Sequence, residues 1–238
     1  MPLLVVVHDT RRNARECAAA FAGFAERHHC AVAAPLFPAA DARHPGRDNY
    51  KLLAAGPVRF DLALLGIVAE IGRRYPVEAG RFALHGFSGG AQFAHRFFYL
   101  HPGRLTAVSV AAPGRITPLD FTRPWWAGVA GCGDLFGRPV RAADLRAVAV
   151  QILAGGADTE PVQAGDPDGH PAATGADRLS RARSLHASLA AHDVASRLDV
   201  VAGAGHDHEP LLPAAQQFLA SALAPGGPLR AGPGPQPG

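Results

Sequence analysis

The sequence predicts an α/β fold, a mostly parallel sheet flanked by helices on both faces, and three observations carry that reading. Short, wholly apolar runs such as Leu3–Val7 have the composition of strands buried on both sides, as parallel strands are. They alternate with longer segments of helical period, the pattern of β–α units. One strand-to-helix junction, Gly86-Phe87-Ser88-Gly89-Gly90, is a glycine-rich turn built around a serine.

The elements follow in order. Leu3–Val7 opens as a buried strand and lacks the basic region and small-residue cleavage site of a signal peptide. Ala14–Arg27 has helical spacing (Ala18, Phe21, Ala22, Ala25), and Cys30–Ala34 reads as the next strand, stopped by Pro35. A loop rich in Pro, Gly and charge covers 38–57, and a helix from Asp61 to Tyr75 is closed by Pro76. Phe82–His85 is the strand before the serine turn and Ala91–Leu100 the helix after it. Leu105–Ala111 and Val148–Leu153 are further strands, followed by a helix over 176–191, a strand Arg197–Val201 and a last helix Pro210–Ala222. One domain is expected over 1–223. Residues 224–238, a Pro/Gly-rich tail, cannot bury enough apolar surface to offset ordering entropy and read as disordered.

Composition narrows the classes. With 238 residues and 48% hydrophobic content, the chain suffices for one domain with a large core. The net charge is +3, and the arginines are scattered, so neither a nucleic-acid stripe nor a polybasic membrane anchor is formed. Isolated Arg59, Arg81 and Arg104 read as solvated surface charges. The longest apolar stretch, Leu62–Ile71, is interrupted by Glu70 and too short to span a bilayer. Cys17, Cys30 and Cys132 are an odd, widely spaced set, read as free thiols of a cytoplasmic protein. Nothing here bears on oligomeric state.

The serine turn has the Gly-x-Ser-x-Gly pattern in its required strand–turn–helix setting. A serine at so sharp a turn sits in strained backbone, and side chains two residues to either side would collide with neighbouring elements. Its hydroxyl is thereby presented at a helix N-terminus, where free N–H groups favour negative charge. A serine hydroxyl needs a base, and the base an orienting acid. In parallel sheets such groups come from loops at the carboxyl ends of strands. Asp158 follows the Val148–Leu153 strand and His206, in Gly203-Ala204-Gly205-His206, follows the Arg197–Val201 strand. Asp134 is the second choice of acid, with Glu160, Asp166 and Asp168 behind it; His208 is the rival base.

In the order Ser, Asp, His, and in the opening Val5-Val6-Val7-His8-Asp9-Thr10-Arg11-Arg12-Asn13-Ala14, the chain resembles an α/β-hydrolase of the small serine esterase, carboxylesterase or depolymerase-like group. The resemblance covers nearly everything before the tail. It implies Ser88 as nucleophile, Asp158 as acid, His206 as base, and the backbone N–H groups of Gly89 and Thr10 as oxyanion donors. It also implies that the first two antiparallel strands of that fold are missing, since the chain starts at what corresponds to the third. Asp9 stands where that family usually has glycine. Its carboxylate would oppose an oxyanion unless Arg11 or Arg12 neutralises it or it points away.

Phe37, Phe87 and Trp125 are candidate substrate-binding residues at the sheet top, with core packing their alternative, and Arg47-Asp48-Asn49-Tyr50 a candidate pocket edge. His85 and His95, which flank the turn, read as structural. His206-Asp207-His208-Glu209 does not have the helical spacing of a zinc site, and no metal or other cofactor is expected. The expected activity is hydrolysis of a small or soluble acyl ester, or a short oligoester, through an acyl-enzyme. A peptidase or amidase on the same residues and a catalytically silent binding scaffold are the alternatives.

Overall fold

The computed structural model describes residues 1–38, 49–162 and 174–224. Six strands form one all-parallel sheet, and their ranges are β1 (Leu3–Val7), β2 (Ala31–Ala33), β5 (Phe82–Phe87), β6 (Leu105–Ala111), β7 (Ala149–Gly155) and β8 (Arg197–Val201). They lie in the order β2-β1-β5-β6-β7-β8. The order reverses direction between β1 and β5, and at such a switch point the carboxyl ends of strands open a crevice.

Alternation along the strands sends side chains to two separate cores. Leu3, Val5 and Val7 of β1 and Phe82 and Leu84 of β5 enter the larger one, together with α3 (Phe60–Arg74), α4 (Gly89–Leu100) and α7 (Arg178–Ala190). Leu4, Val6, Ala83 and Ala107 face the opposite way, onto Cys17 of α1 (Ala14–Ala20), Phe24 of α2 (Ala22–His28) and Phe218 and Leu219 of α8 (Leu212–Leu223). Helices on both faces bury the four inner strands almost completely, while the edge strands β2 and β8 stay partly exposed.

Local chemistry sets several boundaries. The segment 14–27 is two helices, because Phe21 (φ −108°, ψ 5°) leaves helical geometry, and its N–H bonds the Ala18 carbonyl. α2 ends at His29 in the left-handed region, φ 47°. α3 stops where Pro76 forces Tyr75 to extend (ψ 150°). Of the 38–57 segment, residues 39–48 lie outside the described residues, and the rest holds short regular elements. A 3₁₀ turn spans Asn49–Leu52, and β3 (Ala54–Ala55) pairs antiparallel with β4 (Val58–Arg59).

α4 is buried on every side, and its polar residues are accordingly tied down. Arg96 donates to Thr117 Oγ1 (2.9 Å) and to the Lys51 carbonyl (2.8 Å). His95 Nδ1–H donates to the Ala91 carbonyl and Nε2 accepts from the Thr117 N–H. Burial, then the Arg96 charge, hold His95 well below its ordinary pKa.

Arg59, Arg81 and Arg104 are not the free surface charges expected. Arg59 forms a two-pronged pair with Asp61 (2.8 and 2.7 Å), and Asp61 also accepts from His101 Nε2 at 2.7 Å. Burial of Asp61 favours its protonated form, yet the bonds from His101 and Arg59 outweigh it and bring its pKa to about 2. Arg81 donates to the Leu105 carbonyl and Arg104 to those of Gly80 and Ala79, latching the ends of β5 and β6. Single arginines carry no sequence mark of such backbone partners. The Pro/Gly-rich tail beyond Ala224, Arg47, Asp48 and the acids Asp166 and Asp168 lie outside the described residues. Among the described residues no helix is long and apolar enough to cross a membrane.

Candidate active site

β5 delivers Ser88 into a conformation few non-glycine residues adopt, φ 53° and ψ −108°. Its N–H donates to the Ala111 carbonyl at the end of β6 (2.8 Å). A Cβ on Gly86 would overlap the Gly90 carbonyl, and one on Gly90 would overlap the Val7 carbonyl of β1. Both glycines are therefore required by close approach, one inside the turn and one against the neighbouring strand.

The loops after β7 and β8 bring two partners to the serine. Ser88 Oγ–H faces His206 Nε2 at 3.1 Å, and His206 Nδ1–H donates to Asp158 Oδ2 at 2.8 Å. Asp158 is only 2% exposed. Its position is fixed by its own N–H on the Gly155 carbonyl and by its carbonyl on the N–H of Leu179. The Phe87 ring lies against His206 (centroids 4.9 Å, 26°). The two rivals stand elsewhere. Asp134 is exposed on the short helix α5 (Cys132–Phe136), and His208 Nε2 is bonded to His85 Nε2 at 3.0 Å.

One partner of the acid had no signal in the sequence. Arg178, the first residue of α7, donates from Nη1 to Asp158 Oδ1 at 3.2 Å. Asp158 thus gives one oxygen to the histidine and the other to a guanidinium. No periodicity links residues 158 and 178; the capped start of α7, where Asp177 accepts from the Ser180 N–H, aims the arginine.

The loop after β1 closes the site from the other side. Thr10 N and Thr10 Oγ1 would each lie 2.9 Å from a Cβ placed on Gly89. Neither the Thr10 N–H nor the Gly89 N–H has an acceptor among the described residues, so two open donors border one small space. Asp9 is neutralised by Arg11. Its Oδ1 accepts the Arg11 N–H (2.6 Å) and its Oδ2 accepts from Arg11 Nε (2.9 Å) and Nη2 (2.7 Å). The extra carboxylate is therefore spent in bracing the loop. Tyr50, fully buried, donates from Oη to the His8 carbonyl (3.2 Å) and so supports the same loop from below.

Phe37, one of the expected substrate contacts, is placed in another role, and Trp125 is packed on one side. Phe37 is 2% exposed, among His8, Tyr50, Phe60 and Phe93, and its N–H donates to His8 Nε2 (3.0 Å). It holds the loop, and offers no surface to a ligand. Trp125 packs edge-on against Phe136 (4.9 Å), whose ring carries Arg59, the partner of Asp61 and so of His101 beyond the C-terminal end of α4. Phe87, also buried, backs the histidine. Among the described residues no group of three or more His, Cys, Asp or Glu side chains converges to hold a metal.

The fold and neighbours agree. The chain has the α/β-hydrolase fold, and its structural neighbours are esterases, depolymerases and other serine hydrolases. It is similar to the LpqC poly(3-hydroxybutyrate) depolymerase of Bordetella parapertussis, with 26% identity, 92% of this chain and 77% of that one covered, and a TM-score of 0.71. Poly(aspartic acid) hydrolase-1 of Sphingomonas sp. KT-1 matches at 22% identity over 91% of this chain and 87% of its own, TM-score 0.75. An S-formylglutathione hydrolase of Agrobacterium tumefaciens matches at 16% identity over 94% and 85%, TM-score 0.64. No protein-family model and no curated protein sequence matches the chain.

Proposed function

We propose that the protein is a serine hydrolase that cleaves a carboxylic ester through an acyl-enzyme on Ser88. The observation that carries this is the continuous set Ser88–His206–Asp158, at 3.1 and 2.8 Å, beside the open N–H groups of Gly89 and Thr10. Ser88 Oγ attacks the acyl carbon while its proton passes to His206 Nε2. The imidazolium so formed is stabilised by Asp158. Negative charge on the former carbonyl oxygen falls to the two N–H donors, each of which is typically worth on the order of 100- to 1000-fold in rate. His206 then returns its proton to the leaving alcohol, and water, activated by the same histidine, releases the acid. Hydrolase activity in general is supported by the neighbours; the ester class and the residue roles are proposed here. The poly(3-hydroxybutyrate) depolymerase among them is consistent with a small acyl ester or short oligoester as substrate. The test is hydrolysis of p-nitrophenyl acetate and butyrate beside Ser88→Ala. Activity lost in the variant is expected, whereas equal rates in both proteins, or none in either, would overturn the reading.

A further inference from the structure

Alternation on the sheet places a row of polar side chains on the face covered by α1, α2 and α8, where the neighbouring residues are apolar. His85 of β5 registers with Ser109 of β6, and Ser109 with Gln151 of β7. Asp199 of β8 completes the row, and His85, Ser109 and Gln151 are fully buried. Each member bonds the next: Gln151 Nε2 to Asp199 Oδ2 (2.6 Å), Ser109 Oγ to Gln151 Oε1 (2.7 Å), His85 Nδ1 to Ser109 Oγ (3.0 Å) and His208 Nε2 to His85 Nε2 (3.0 Å).

Donor counting gives this row one direction. The Gln151 amide nitrogen faces two acceptors, Asp199 Oδ2 and the Ala214 carbonyl, so its oxygen must face Ser109. Serine has a single O–H, used on Gln151, and its oxygen therefore accepts His85 Nδ1–H. His85 Nε2 is left with its lone pair, and His208 must supply Nε2–H. The two imidazoles are near coplanar (11°) with centroids 5.2 Å apart, so with nitrogens 3.0 Å apart they meet end to end rather than face to face. A carboxylate on the edge strand thus fixes the tautomer and plane of His85, three strands away, and through it those of His208.

That plane matters because the Phe87 ring lies against His208 (4.9 Å, 18°) as well as against His206 (4.9 Å, 26°). We propose that His208 is a positioning residue. Held by the Asp199–Gln151–Ser109–His85 row, its ring fixes Phe87 and thereby confines the His206 imidazole in line between Ser88 and Asp158. Asp158 gives His206 one hydrogen bond, about which the ring can still rock; the aromatic backing removes that freedom. The kinetic part of this inference rests on the proposed ester hydrolysis, and the spectroscopic part does not.

The test uses the full chain and ¹⁵N-detected imidazole NMR with His208→Ala, His208→Phe and Ser109→Ala. In the wild type, His85 should be the Nδ1–H tautomer and His208 the Nε2–H tautomer. The downfield Nδ1–H proton of His206 on Asp158 should be sharp in the wild type and broadened in His208→Ala. If the protein hydrolyses p-nitrophenyl butyrate, kcat should fall about 10- to 100-fold in His208→Ala at nearly unchanged KM, the cost of a misplaced catalytic group. His208→Phe, which returns a ring against Phe87, should recover at least a third of the wild-type kcat, and Ser109→Ala should lose several-fold. The opposite tautomers, an equally sharp His206 proton in His208→Ala, or a phenylalanine variant no better than alanine would overturn the proposal. A wild type with no hydrolysis but with the tautomers and broadening above would overturn only the activity.

Discussion

Gly89→Ala separates the proposed oxyanion site from the rest of the fold. The added methyl would stand 2.5 Å from Tyr50 Oη and 2.9 Å from both Thr10 N and Thr10 Oγ1, where ordinary contact begins at 3.4 Å. Tyr50 is buried and bonded to the His8 carbonyl, so it cannot swing aside, and the Thr10 loop must retreat by about half an ångström. Overpacking of this kind costs roughly 1–3 kcal/mol of stability. The retreat also takes the Thr10 N–H from the space it borders, and loss of one such donor costs about 3–4 kcal/mol in the transition state, or 100- to 1000-fold in kcat. A donor used only in the transition state leaves KM nearly unchanged. Steady-state kinetics on p-nitrophenyl butyrate, with urea unfolding of the same samples, read both quantities. Gly90→Ala is the contrast, because its methyl meets the β1 backbone and should fail in folding instead. A folded Gly89→Ala protein with kcat within threefold of the wild type would refute the assignment of Thr10 and Gly89.

Three further outcomes follow from the contacts. Arg178→Met removes the guanidinium from Asp158 Oδ1 and should lower kcat about tenfold through a less well-held acid, with the kcat of the folded enzyme as the check. Asp61→Ala leaves Arg59 and His101 without their shared buried carboxylate and should cost about 3–5 kcal/mol in urea unfolding, while the folded fraction keeps its specific activity. Burial holds His208 at a pKa of about 4, and burial likewise lowers His8, His85 and His95. The folded state then binds fewer protons than the unfolded one between pH 6.5 and 4, so stability falls as pH drops through that window. His208 alone contributes about 2 kcal/mol of this loss at pH 5 relative to pH 7. A urea midpoint at pH 5 equal to or above that at pH 7 would contradict it.

Much of the molecule was legible in the chain. Leu3–Val7, Leu105–Ala111 and Arg197–Val201 were readable to the residue, the first because a strand buried on both faces is apolar throughout, the others because short β-branched runs are cut off by turn residues. The candidate set Ser88, Asp158 and His206 could be assembled from the sequence because such groups come from loops past the ends of parallel strands, and the turn around Ser88 has glycine at two close approaches. The split of the first helix at Phe21 and the hairpin at Ala54–Arg59 were not readable, since both are decided by what they pack against.

Pairing, by contrast, is a matter of three dimensions. Asp9 looked like an obstacle until Arg11 was seen folded onto it, and Phe37 looked like a pocket wall until its neighbours were known. Arg178 meets Asp158, and His208 meets His85, across separations that no sequence period spans. A strand or a sharp turn is dictated by sterics and burial within a few residues, so sequence alone determines it. Which charge neutralises which, and which ring backs the histidine, depends on where the sheet sets chain segments side by side, and only the tertiary structure decides that.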